Sequence, residues 1–168
     1  MTRFNALKAA LAAAIAMACT SCVSSEIVVP EGAPTAQFLF APAPGLENAG
    51  YYGRPDLQLL FSRSNAQCKP RLPMPLIGTQ AGFEAMKAPI AIESGKRLFM
   101  SAISNQATAV GRSSCVNVAS FVPETGHDYE AYQQWSPQGP SCRLVVIDKA
   151  TGRAPASFEE HPVVQACR

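Results

Sequence analysis

Histidine is scarce in this chain: His127 and His161 are the two among 168 residues. A zinc site takes three or four ligands, and neither histidine has partners at ligand spacing. Glu159-Glu160-His161 is contiguous, so its side chains diverge on a strand and on a helix alike. His127 stands beside Asp128 and points away from it if both lie on a strand. A Gly-x-Ser-x-Gly nucleophile elbow is missing, and Gly111-Arg-Ser-Ser-Cys115 reads as a loop leading into a strand. Ser94-Gly95-Lys96 lacks the rest of a phosphate-binding loop. Glu124 and Glu130 read as strand-end and solvent-face carboxylates with no acid–base partner. A concentrated basic surface is lacking too: Lys69, Arg71, Lys87, Lys96, Arg97 and Arg112 are dispersed, which argues against a nucleic-acid partner. No catalytic residue, cofactor or metal is assigned, and the chain reads as a non-enzyme.

What is present begins with an export signal. Arg3 and Lys8 form a charged start, and Ala9 to Ala18 is an apolar run too short to span a bilayer. The end of the run, Ala16-Met-Ala-Cys19-Thr-Ser-Cys22, resembles a bacterial lipoprotein signal, in which small residues precede a lipid-modified cysteine. Cys22 is the expected lipidation site and Cys19 the alternative; an ordinary secretory signal cut after Ala18 is the bland reading. Cysteine parity favours Cys22, because it leaves four cysteines, Cys68, Cys115, Cys142 and Cys167, enough for two bridges. The residue after either candidate is not Asp, and by resemblance to sorting in Gram-negative envelopes this implies the outer membrane, facing the periplasm. Removing Arg3 and Lys8 takes two of the 14 basic residues and none of the 12 acidic ones, so residues 22–168 are net neutral.

The stretch from Cys115 to Ile147 organises the rest. It reads as three consecutive strands, one opened by Cys115 and the last by Cys142. The middle strand alternates, with Tyr129, Ala131 and Trp135 on one face and Asp128, Glu130 and Gln134 on the other. Tyr132 and Gln133 break that pattern. Val116–Val122 and Leu144–Ile147 are apolar on both parities, as in strands covered on both faces. Further strands are expected at 36–41, 56–63, 89–92 and 96–103. Residues 76–86 are ambiguous, with one helical turn open at 80–86, and 104–114 reads as polar loop. The fold class is all-β, a disulfide-braced antiparallel sandwich. The expected organisation is a signal over 1–21, a lipidated tether over 22–34, the sandwich over 35–152, and a proline-containing tail over 153–168.

In an up-down-up arrangement Cys115 and Cys142 start level. In one flat sheet they would stand two strand spacings apart, about 9–10 Å, beyond the roughly 7 Å that a disulfide tolerates. Either they do not bond, or the first strand lies in a facing sheet and the bridge closes the sandwich edge; the second is preferred. Elimination then pairs Cys68 with Cys167, stapling the tail, although four cysteines allow three pairings and the sequence alone does not choose. Tyr51 and Tyr52, adjacent in a Pro- and Gly-rich loop, are a candidate binding surface; the bland reading packs one of them onto the domain rim.

Tyr129, just past the corner Pro123-Glu-Thr-Gly126, resembles the tyrosine corner of immunoglobulin-like sandwiches, though the spacing differs. The sandwich is therefore expected to be immunoglobulin-like or transthyretin-like. Ile92-Glu-Ser-Gly95-Lys, Ser-Cys115, Phe121-x-Pro-Glu-x-Gly126-x-x-Tyr129 and Ser-Cys142 before a last apolar strand resemble a group of small uncharacterised bacterial lipoproteins. The resemblance implies fold and location and no activity. Three functions follow as expectations: a lipid-anchored, non-enzymatic module binding an envelope protein or glycan; a structural accessory of an envelope or secretion assembly; and a small hydrolase or carbohydrate-active enzyme. The last would need a pocket joining a histidine to carboxylates.

Overall fold

The structure is a computed structural model that describes residues 27–44, 57–69, 74–81, 88–108, 111–136 and 141–167. Cys19, Cys22, Tyr51 and Tyr52 lie outside the described residues, as does most of the 80–86 segment. The strands are β1 Thr35–Phe40, β2 Leu57–Arg63, β3 Leu76–Ala81, β4 Ile90–Glu93, β5 Leu98–Thr108, β6 Gly111–Phe121, β7 Asp128–Trp135, β8 Cys142–Asp148 and β9 Glu159–His161. They form two sheets, in the orders β4-β1-β7-β8 and β3-β2-β5-β6-β9. Every strand pair is antiparallel except β1–β7, which runs parallel from Gln37↔Asp128 to Phe40↔Ala131. The fold is a disulfide-braced β-sandwich.

Alternation within each strand sets the core. Ala36, Phe38 and Phe40 of β1 face Met100 and Ala102 of β5 and Ala119 and Phe121 of β6, with Tyr129, Ala131, Leu144 and Val146 completing the cluster. Phe121 meets Phe38 at 6.2 Å and Tyr129 at 4.8 Å between ring centres, within the range of favourable aromatic pairing. β6 is in the sheet facing β7 and β8, and the Cys115–Cys142 bridge spans the two sheets with its Cα atoms 6.2 Å apart. That is the facing-sheet alternative reached from the strand spacing.

Residues 104–108 and 111–114 correct the sequence reading. They are strand, not loop: β5 and β6 extend their ladder through Ser104↔Cys115 to Thr108↔Gly111. Backbone pairing carries this hairpin past the apolar core, so the polar side chains hid it. Residues 76–81, left ambiguous, are strand β3.

The tail is also more than a tail. After β8 it turns at residues 149–152, where Asp148 N donates to Arg153 O at 2.9 Å. It then crosses to the other sheet and adds β9 against Val118–Ser120. Cys167 bridges to Cys68 with Cα atoms 5.2 Å apart, and the pair buries Val118 from the outer side of the sheet with help from Val163 and Ala166. Cys68 has φ 54°, the one positive φ outside glycine among the described residues. That left-handed conformation costs a β-carbon residue about 1–2 kcal/mol. Asn65 holds the loop by accepting from Lys69 N and donating to Lys69 O at 2.8 Å.

The sandwich has two distinct ends. One gathers the β6–β7 corner, the β4–β5 turn and the start of β1: Gly126 N donates to Thr35 O, Ser94 N to Pro34 O and Gly95 N to Pro123 O, all at 2.8–2.9 Å. At the other, β1, β3, β5 and β7 end and β2, β4, β6 and β8 begin.

Candidate functional site

The loop-bearing end is polar inside. Gln58 of β2, Ser104 of β5, Cys115 and Asn117 of β6, Gln133 and Trp135 of β7 and Cys142 of β8 share the inward parity with the apolar core below them. Trp135 Nε1 donates across the sheets to Ser104 Oγ at 3.1 Å. Gln133 Nε2 donates to Asn117 Oδ1 at 2.7 Å and approaches Cys142 Sγ at 3.1 Å. Asn117 Nδ2 donates to Cys142 O at 3.1 Å. The disulfide sulfur has no hydrogen to give, so the 3.1 Å approach of Asn117 Oδ1 to Cys142 Sγ is a contact only. Gln133 thus obeys the strand's parity while contradicting its polarity: it is fully buried.

Two acceptors in this region are unsatisfied. Oε1 of Gln58 and Oε1 of Gln133 are buried without a hydrogen-bond partner among the described residues. Buried amide oxygens in folded proteins are nearly always paired, with protein, water or ligand. At the same end of the sandwich is a surface cavity of about 310 Å³ lined by Gln134, Trp135, Ser136, Ser141, Cys142 and Arg143. Arg143 donates to Gln134 Oε1 at 2.9 Å and 3.1 Å on its rim. The β1–β2 connection, which carries Tyr51 and Tyr52, leaves from and returns to this end.

The opposite end holds the charged chemistry. His127 Nδ1 is 2.9 Å from Asp148 Oδ2, and Nε2 is 3.6 Å from Glu124 Oε2. Asp148 is buried, and its Oδ1 accepts Ala150 N at 2.9 Å. The hydrogen bond to Asp148 raises the His127 pKa above 6.5, against partial desolvation and with help from Glu124 and Asp128. Burial alone would raise the Asp148 pKa; the hydrogen bonds from His127 and Ala150 outweigh it and hold the carboxyl below 3.8. Burial pushes the Tyr129 phenol above 10.0 even though its oxygen accepts Glu124 N at 2.9 Å. A cleft of about 430 Å³ lies alongside, lined by Glu124, Asp148, Thr151, Arg153 and Pro155 among others.

This arrangement brings a histidine to two carboxylates, the feature an enzyme reading would need. It supplies no nucleophile: both ring nitrogens face carboxylate oxygens, and no hydroxyl or thiol of the described residues bonds His127. Through the Nδ1 contact with Asp148, His127 joins the β6–β7 corner to the end of β8. His161 is engaged differently. Its Nε2 meets Ser120 Oγ at 2.8 Å, and its ring packs 5.8 Å from Phe99. Ser120 is fully buried and also accepts Arg97 Nη1 at 3.0 Å, while Arg97 holds Ser157 O and Glu159. The Ser120–His161 pair fastens β9 to the sheet. Among the described residues no three His, Cys, Asp or Glu side chains are grouped to hold a metal ion.

Comparison with known protein families, with curated proteins and with solved structures finds no match for this chain. The two disulfides place the fold outside the cytoplasm, because thiols there are kept reduced. No helix of the described residues is long and apolar enough to cross a membrane.

Proposed function

We propose that this protein is a lipid-anchored, non-enzymatic binding module of the bacterial envelope. The anchor is an acylated Cys22, and the module belongs to the periplasmic face of the outer membrane. Its partner is an envelope protein or glycan, taken at the loop-bearing end. One observation carries this reading. A sandwich cross-linked between its sheets by Cys115–Cys142 has, at the end where β1, β3, β5 and β7 finish, a polar interior whose Gln58 and Gln133 oxygens lack partners among the described residues. Loops on a rigid scaffold are the usual place for recognition, and unpaired acceptors suit a ligand that brings hydroxyl or amide donors. The His127–Asp148 and Ser120–His161 contacts each join separate segments of the sandwich, which supports a structural part for both histidines.

The test is site-specific photocrosslinking in living cells. A photoreactive residue at Gln134 or Arg143, on the rim of the Trp135 cavity, should give a reproducible adduct. The same residue at Ala150, at the corner end, should not. Equal labelling at all three positions, or none at any, would remove the assignment of the loop-bearing end.

A further inference from the structure

The open side of the sandwich, between edge strands β3 and β4, is covered by the segment just before β1. The chain reverses at residues 30–33, where Ala33 N donates to Pro30 O at 3.1 Å. Ile27 then packs against the core cluster beside Ile90. An apolar hollow of about 540 Å³ remains there, lined by Ile27, Val29, Leu76, Ile90 and Ala91. Next to it Val28 is 85% exposed, far beyond Val164 at 38%, the other exposed large hydrophobic side chain of the described residues. Val28 thus stands in water between Ile27 and Val29, which line the hollow.

The length of chain between this surface and the anchor names the occupant. Four residues, Val23 to Glu26, separate Cys22 from Ile27. Fully stretched, that stretch spans at most about 17 Å from Cα to Cα. With Cys22 acylated, this side of the sandwich cannot leave the neighbourhood of the bilayer surface. We infer that Val28 and the hollow behind it dock onto the headgroup–acyl boundary of the membrane that holds the lipid, so that the protein is seated on its β3–β4 side as well as tethered. The inference rests on the anchored reading proposed above. A short tether makes the contact effectively intramolecular, so a small apolar surface that would not bind vesicles by itself is enough.

The wild-type chain has a single tryptophan, Trp135. The experiment adds a second indole by Val28→Trp, at an exposed position where folding tolerates it, in the full chain expressed with its signal. Ala150→Trp is the control; Ala150 follows β8, at the opposite edge of the sheet from β4. Each protein is reconstituted in phosphatidylethanolamine–phosphatidylglycerol vesicles with and without brominated acyl chains. In the floating fraction, Val28→Trp should emit to the blue of Ala150→Trp and lose about half its added intensity to bromine, as for an indole seated some 5–10 Å into the boundary. Equal quenching of the two variants would overturn the docking while leaving the anchor intact. A blue shift without bromine quenching, lost when the protein is diluted on the vesicle surface, would assign the patch to a second copy and overturn the membrane contact. Failure of the wild-type chain to float would remove the anchor and the docking with it.

Discussion

His127 Nδ1 and Asp148 Oδ2 are 2.9 Å apart and join the β6–β7 corner to the last residue of β8. The pairing makes stability depend on pH in a defined window. The His127 pKa is raised on folding, so its contribution is complete below about 6.5 and is lost as pH rises through the higher folded value. The Asp148 pKa is lowered, so its contribution is present above about 3.8 and is lost as pH falls through the lower folded value. The Tm gap between wild type and His127→Gln should therefore be widest between those limits and should shrink toward pH 8. Thermal melts across pH 3–9 check this; a gap that widens toward pH 8 would contradict the ion pair.

Tyr129 Oη accepts Glu124 N at 2.9 Å, five residues back along the chain. The ring is buried against Phe121, so Tyr129→Phe keeps the packing and removes only the acceptor. The amide left without its partner sits at an exposed residue, where water can replace the hydroxyl in part. The expected loss is about 1 kcal/mol, at the low end of the range for an orphaned donor. Urea titration should show a lower midpoint with an unchanged slope.

Cys68–Cys167 closes a separation of 99 residues, and Cys115–Cys142 one of 27. Chain entropy alone gives about 4.7 and about 3.5 kcal/mol respectively. The double variant Cys68→Ala, Cys167→Ala should lose about 1 kcal/mol more than Cys115→Ala, Cys142→Ala, and hydrogen exchange should rise first along β9 and Val118. Peptide mapping without reductant should recover these two pairs and no free thiol among the four cysteines. A mixed pairing would contradict the sheet assignment of β6.

The reach of the sequence differs from element to element. The Cys115–Cys142 bridge was legible because strand spacing is fixed: two level cysteines separated by one strand cannot bond within one sheet. Tyr129 was legible because a proline and a glycine mark the corner before it. The ladder between residues 104–108 and 111–115 was not, because ladder hydrogen bonds come from the backbone and leave no mark on side-chain polarity. β9 was not, since three residues of Glu-Glu-His carry no alternation of hydrophobic character. Of the polar interior, only Gln133 was visible, as a break in the pattern of β7. Gln58, Ser104 and Asn117 join it through inter-strand register, which no local pattern encodes. The same holds for Asp148, which reads as a turn residue until β8 brings it to His127.

Anchoring makes a prediction of its own. Cys22→Ser should abolish incorporation of radiolabelled palmitate, because Cys22 is the residue proposed to carry the acyl chains that hold the protein to the membrane. Labelling that persists in Cys22→Ser and disappears in Cys19→Ser would move the anchor to Cys19. The tether would then gain three residues and roughly 10 Å of reach, and the seating of the β3–β4 side would be correspondingly looser.

Gln58 tests whether the loop-bearing end gives up stability for recognition. Its side chain is 2% exposed and its Oε1 has no partner. A buried amide oxygen that makes no compensating bond costs about 1–3 kcal/mol relative to an apolar group of the same shape. Gln58→Met conserves length and removes the polar atoms. If the amide is held empty-handed for a ligand, the free protein should become more stable by about 1–2 kcal/mol, while photocrosslinking from Gln134 should fall. If an ordered water already pairs with Oε1, the substitution should be neutral or destabilising, since expelling such a water forfeits its hydrogen bonds. Urea midpoints decide between the two, and the crosslinking yield says whether the residue serves the partner. A stabilised variant with undiminished crosslinking would detach Gln58 from the binding end and leave Gln133, on the facing sheet, as the remaining unpaired acceptor there.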